Sequence, residues 1–233
     1  MPLPAKSFFA RLETVSLILW VAVAGAVWAF LALGGEMAEG ETLAFDRRIL
    51  MALRNPADPA DPLGPRWLAE ALRDVTALGG FTVLTLITVV ATLAFAFHGK
   101  RRQALILPAV VICAQLSANL LKGIYGRPRP DFLPHDMFVY SASFPSGHST
   151  VAATTWLMLA TLIASLETTA ATKALAYGIA GLIILAVGFS RVYLAVHWPS
   201  DVLAGWTLGS AWALAGWIVT RRMAAIRPEV GNL

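Results

Sequence analysis

The chain has 233 residues, of which 58% are hydrophobic and 14% charged, with a formal net charge of +4 at pH 7. Soluble domains run at about 45–50% apolar and about 25% charged, so the composition excludes an ordinary soluble globular fold. The positive balance does not point to nucleic acid, because Lys and Arg gather at the ends of apolar runs and form no basic stripe interleaved with aromatics.

The apolar residues fall into six runs: Thr14–Leu33, Val75–Phe97, Gln103–Leu121, Gly147–Leu166, Ala174–Phe189 and Val202–Thr220. A helix needs about 20 residues to cross the hydrocarbon core, and five runs meet that length. The fifth in order, Ala174–Phe189, is short and must borrow from Ala170–Thr172 or Ser190–Tyr193. Barrel strands would alternate polar and apolar residues, and these runs do not. The fold expected over residues 1–233 is a single all-α domain, a bundle of six transmembrane helices. The first run has a second reading as a signal peptide, with Lys6 and Arg11 as a charged start and Ala22-Val23-Ala24 as a cleavage site. Its continuation through Trp28 to Leu33 favours an uncleaved span.

Between the first two runs lies the one long early loop, Gly34 to Asp74. Phe45, Ile49 and Leu53 recur at helical spacing opposite Asp46, Arg47 and Arg54, predicting a short helix in the membrane interface. Pro56, Pro59, Pro62 and Pro65 follow, predicting an extended, helix-free connector, after which Trp67 and Leu68 return to the interface. The loop reads either as an anchor or as a lid that guides substrate. Pro108 falls inside the third run, where a proline kinks a helix. Cys113, the only cysteine, reads as a small buried thiol. Gly205 and Gly209 form a small-xxx-small pair that allows close helix approach.

Orientation follows from the basic residues. Lys6, Arg11, Lys100, Arg101, Arg102, Lys173, Arg221, Arg222 and Arg227 share one side if both termini are cytoplasmic; the other side also carries nine, but Lys122, Arg129 and Arg191 have a chemical role and five lie in the long acidic loop. His98 sits on that side as a solvated residue.

Three clusters then fall on the other side. Lys122 to Pro130 ends the third run, Pro145-Ser146-Gly147-His148 opens the fourth, and Ser190-Arg191 with His197 and Asp201 joins the fifth to the sixth. Lys122, Arg129 and Arg191 supply cations, and the Arg fork suits phosphate oxygens. Ser146 is a helix N-cap and Gly147 lets backbone N–H groups approach an anion. His197 and Asp201 stand four apart, with Pro199 starting a helix, so the carboxylate can fix one imidazole tautomer and leave the other nitrogen free to attack. His148 stands beside the same anion. Together these residue types read as phosphoryl transfer, where catalysis is positioning and charge neutralisation. His135 and Asp136, between the first two clusters, are further candidates for lining the pocket.

The pattern Lys-x6-Arg-Pro, Pro-Ser-Gly-His and Ser-Arg-x5-His-x3-Asp resembles the superfamily of type 2 phosphatidic acid phosphatases and vanadium haloperoxidases. The resemblance spans Lys122 to Asp201, with each motif complete. It implies that Lys122, Arg129, Ser146, Gly147 and Arg191 hold the phosphate, His197 attacks phosphorus, Asp201 orients His197, and His148 protonates the leaving alkoxide and then activates water. It implies no metal and no cofactor. It also implies a lipid phosphate or pyrophosphate substrate and a site on the extracytoplasmic face of a bacterial membrane. Competing readings are a phosphotransferase with a lipid acceptor, a haloperoxidase, and a non-enzymatic lipid-phosphate binder or transporter. Neither the lipid nor the oligomeric state is written in the motifs.

Overall fold

The computed structural model describes residues 5–130 and 141–225; His135 and Asp136 lie outside the described residues. The elements run α1 (Ala5–Ala38), α2 (Leu43–Ala52), β1 (Arg54–Asn55), β2 (Asp58–Pro62), α3 (Arg66–Ala77), α4 (Phe81–Phe97), α5 (Arg101–Tyr125), α6 (Gly147–Leu166), α7 (Ala170–Tyr193) and α8 (Pro199–Ala225). Helices α1, α5, α6, α7 and α8 are each long and apolar enough to cross a membrane, and the bent pair α3–α4 makes a sixth span when counted as one. The all-α bundle expected from the sequence is therefore present.

Three boundaries differ from the hydropathy pattern. Helix α1 runs beyond Leu33 to Ala38, because helical hydrogen bonding does not stop where apolarity does; the chain turns only at Gly40, at φ +82°. The run Val75–Phe97 is not one helix. It breaks after Ala77 and bends by 42° into α4. The cause lies at Leu78-Gly79-Gly80: a Cβ on Gly79 would stand 3.2 Å from the His148 carbonyl oxygen, and the Trp156 indole donates to the Leu78 carbonyl at 3.1 Å. Helix α7 takes both candidate extensions, with Thr169 capping its start by accepting from Thr172 N–H.

In the first loop, the short helix is α2, and the proline-rich connector is extended as expected, pairing antiparallel as β1–β2 with Arg54 opposite Pro62. The faces of α2 are not as expected. Asp46 is fully buried and Arg54 is buried, while Phe45 is half exposed. Cys113 is also corrected: it is exposed on α5 rather than buried, since hydropathy does not separate a lipid-facing position from a core one.

The core is centred on α6, which packs between α8, α7 and α5. Outward positions of α1, α4 and α5 carry large apolar side chains such as Leu17, Trp28, Phe81, Leu93, Leu116 and Ile124. Such exposure is expected of a surface solvated by lipid. The small-xxx-small pair behaves as predicted. A Cβ on Gly205 would lie 2.8 Å from the Ser146 carbonyl oxygen, one on Gly209 would collide with the Thr150 carbonyl oxygen, and the Thr154 hydroxyl donates to the Gly209 carbonyl at 3.2 Å. This contact presses the start of α8 onto the start of α6. At the opposite end of the bundle, Arg102 donates to the Met223 carbonyl, Arg222 donates to the Ser16 hydroxyl at 3.3 Å, and Arg221 covers Trp217.

Candidate active site

Three segments meet at one rim of the bundle. The first is the end of α5, terminated at Gly126 in the left-handed region (φ +57°), where the chain leaves the helix toward Arg127 and Arg129. The second is the N-terminus of α6, where Ser146 is the N-cap. Its hydroxyl accepts from Ser149 N–H at 3.4 Å and Ser149 Oγ at 3.0 Å, and its own N–H donates to the Asp201 carbonyl at 3.0 Å. The cap leaves the N–H groups of Gly147 and His148 without a partner among the described residues, in the first turn, the place where a helix attracts an anion. Ser146 itself is fully buried, so its part is to hold that turn open. The third segment is the turn from Arg191 through His197 into α8, where His197 N–H and Val196 N–H both donate back to the Arg191 carbonyl.

Around the N-terminus of α6 the expected residues assemble. The Lys122 stem passes 3.8 Å from the position of a Cβ on Gly147, and its ammonium donates to the Ala142 carbonyl at 2.5 Å. Arg129 donates through Nε to the Ser141 carbonyl at 2.9 Å and through Nη1 to the Val196 carbonyl. Arg191 donates to the Thr76 hydroxyl at 3.1 Å, while its Nε, also buried, has no partner among the described residues. Arg191, Arg129 and Lys122 all lie within electrostatic range of His148. Among the described residues these cations meet only neutral acceptors, an arrangement able to take an anion.

His197 is 2% exposed. Its Nδ1 faces Asp201 Oδ2 at 3.4 Å and Ser143 Oγ at 3.3 Å, and its Nε2 faces Arg129 Nη1 at 3.2 Å. Arginine can only donate, so Nε2 must carry the lone pair and Nδ1 the proton. Burial pushes the imidazole down to about 3; hydrogen bonding to Asp201 and its charge oppose that, and Arg191 and Arg129 add to it. The ring is therefore neutral, with its free nitrogen facing the cations, the state a nucleophile requires.

Lys122, Arg129, Ser146, Gly147, His148, Arg191, His197 and Asp201 are all at this rim, while His98 is exposed at the far end, bonded to the Ala94 carbonyl. Sequence reasoning missed a layer behind His197. Arg127, Asp46, Ser143 and Ser200 are buried there and bonded to one another or to Asp201. Arg127 was visible only as the other arginine of Arg127-Pro-Arg129-Pro. Asp46 carried no signal at all.

The chain has known relatives. It is 38% identical over 146 residues to phosphatidylglycerophosphatase B of Bacillus subtilis, covering 61% of this chain and 70% of that protein. It is 34% identical over 121 residues to the lipid A 1-phosphatase of Rhizobium johnstonii, covering 48% of this chain and 46% of that protein. Its structure resembles the crystal structure of the transmembrane PAP2-type phosphatidylglycerolphosphate phosphatase from Bacillus subtilis, with a TM-score of 0.77 at 29% identity, over 88% of this chain and 98% of that one. The PAP2 superfamily matches residues 103–224, a stretch that holds all three segments of the rim; the chain belongs to the PAP2 superfamily.

Proposed function

We propose that this integral membrane protein is a lipid phosphatase that works through a phosphohistidine on His197, at the extracytoplasmic face. The observation that carries the reading is the state of His197: a neutral ring, Nδ1 against Asp201, and Nε2 turned to Arg129 near the first turn of α6.

In the reaction, the phosphate of the lipid sits on Gly147 N–H and His148 N–H, with Lys122, Arg129 and Arg191 neutralising its oxygens. His197 Nε2 attacks phosphorus in line with the ester oxygen. The negative charge of the bound phosphate offsets Lys122, Arg129 and Arg191, so that His148 carries a proton in the complex; the P–O bond breaks, His148 gives that oxygen its proton, and the alcohol leaves. His148, now neutral, takes a proton from water, whose oxygen attacks phosphorus and releases phosphate and His197. Asp201 stabilises the positive charge that His197 acquires in between. No step calls for a metal. The sidedness rests on Arg102, Arg221 and Arg222 clustering at the end away from the site, as the positive-inside rule expects of a cytoplasmic end.

The likeness to a phosphatidylglycerophosphatase over most of the chain makes phosphatidylglycerophosphate the first substrate to try, ahead of phosphatidate, undecaprenyl pyrophosphate and lipid A phosphates. The test is phosphate release by the purified chain in detergent against these lipids, with a chelator present. Turnover of at least one lipid, undiminished by the chelator, is expected. Release that requires an added divalent ion would overturn the metal-free mechanism, and transfer of phosphate to a lipid acceptor would replace hydrolysis by phosphotransfer.

A further inference from the structure

The His197 carboxylate partner is itself held from behind. Asp201 Oδ2 accepts from Trp198 N–H at 2.9 Å, from the Ser143 hydroxyl and, at 3.4 Å, from His197 Nδ1. Its other oxygen, Oδ1, accepts from Arg127 Nη1 at 2.6 Å. The second nitrogen of that guanidinium, Nη2, donates to Asp46 Oδ2 at 2.7 Å and to the Thr42 hydroxyl at 3.3 Å. Ser200 closes the ring, giving its N–H to Asp46 Oδ1 at 2.8 Å and its hydroxyl to Asp46 Oδ2 at 2.6 Å, and accepting from Arg127 at 2.7 Å. The face of the guanidinium lies 5.5 Å from the Trp198 ring centre. Arg127 is 8% exposed, Asp46 and Asp201 0%.

The charge count gives this ring a meaning beyond bracing. One cation stands between two carboxylates, so the group behind His197 carries a net negative charge. With Asp46 absent, Arg127 would be a lone counterion to Asp201 and would cancel the charge that the imidazole needs as it becomes cationic on phosphorylation. With Arg127 absent, two carboxylates would face each other in a dry site, and Asp201 would be free to turn its Oδ2 away from His197. The remaining charges near Asp201, Lys122 and Arg129, come from the substrate side.

We infer that Asp46 and Arg127 are positioning residues for the reaction: Asp46, from the loop before the second span, occupies Arg127 so that Arg127 orients the Asp201 carboxylate without neutralising it for His197. Both act through Asp201 and neither touches substrate. The inference rests on the phosphatase reading above.

The test uses the full chain in detergent, with phosphatidylglycerophosphate or another lipid it turns over. Activity of the unsubstituted protein and inactivity of His197→Ala establish the reading; failure of either would overturn the phosphatase assignment itself, and this inference with it. Asp46→Asn keeps the shape and removes the charge, and Arg127→Lys keeps the charge and removes the fork. Each is expected to lower kcat by about 10–100-fold, the range for losing a group that orients a reacting ligand. KM and the inhibition constant of inorganic phosphate should stay where they are. Asp46→Glu should recover part of the loss. Introduced on top of Asp201→Asn, each substitution should add nothing, because its route to the chemistry is already cut. A further loss of the same size in that background, a loss shared equally between kcat and KM, or no loss at all would overturn it. If Arg127→Lys does not fold, Asp46→Asn decides alone.

Discussion

Two sets of charges flank His197, and they are built on opposite plans. Behind the ring, Arg127 meets Asp46 and Asp201 at 2.7 and 2.6 Å, and cation and carboxylates satisfy one another inside the protein. In front, Lys122, Arg129 and Arg191 meet backbone carbonyls and hydroxyls, with no carboxylate bonded to them among the described residues. A buried charge left without its partner is costly, so the rear set must be complete before any substrate arrives. The front set gathers like charges and, on the proposed phosphatase reading, is completed by the substrate's anion. One set stores order; the other stores affinity.

Experiments can break this contrast, beginning with its axis. His197→Ala should remove turnover by about 10⁶-fold, the scale for loss of a nucleophile, read as phosphate release, while inorganic phosphate still binds the front cations. His148→Ala should cost about 10²–10⁴-fold, the usual worth of general acid–base catalysis. That loss should shrink for esters with good leaving groups; an equal loss for every ester would remove His148 from the acid role.

The two charge sets should part in stability. Arg127→Ala strands Asp46 and Asp201 and should destabilise by about 3–5 kcal/mol, the range for breaking a buried pair. Arg129→Ala relieves repulsion in front and should leave the melting temperature unchanged or higher while raising KM. Matching losses of stability would erase the distinction. Gly209→Ala, at the contact that seats one motif on the next, should cost about 1–3 kcal/mol by overpacking, visible as a lower melting temperature.

The last expected effect is in pH. Folding holds His197 neutral down to about 3, whereas in the unfolded chain it protonates near 6.5. Below 6.5 the unfolded state binds the extra proton, so the stability this residue contributes is complete above that pH and is lost as pH falls toward 3. His197→Gln should flatten that part of the stability profile, and an unchanged slope would show that the ring titrates normally.

The front of the site was legible in the sequence and the rear was not, for physical reasons. Lys122, Arg129, His148, Arg191, His197 and Asp201 sit at helix ends, where hydropathy fixes which rim they occupy and chemistry suggests why they share it. Asp46 sits 81 residues from its partner Arg127, on a helix whose apolar spacing sent it to the wrong face. The pattern of α2 is that of an interfacial helix, but burial of its acid was set by a tertiary partner, which no local periodicity records. The break at Gly79-Gly80 escaped for a related reason: two glycines do not interrupt an apolar run, and the neighbours that leave no room for a Cβ on Gly79, the Val187 side chain and the His148 carbonyl, lie far along the chain.

The rear ring also dates the enzyme's birth. Its members are drawn from residues 46, 127 and 201, so the first third of the chain waits, already synthesised, for the last helix to arrive. A chain that ends before α8 holds Lys122, Arg129 and Arg191 but lacks Asp201, the carboxylate that meets His197. On the phosphohistidine reading, hydrolysis should begin only once α8 has docked, and a chain truncated before it should release no phosphate.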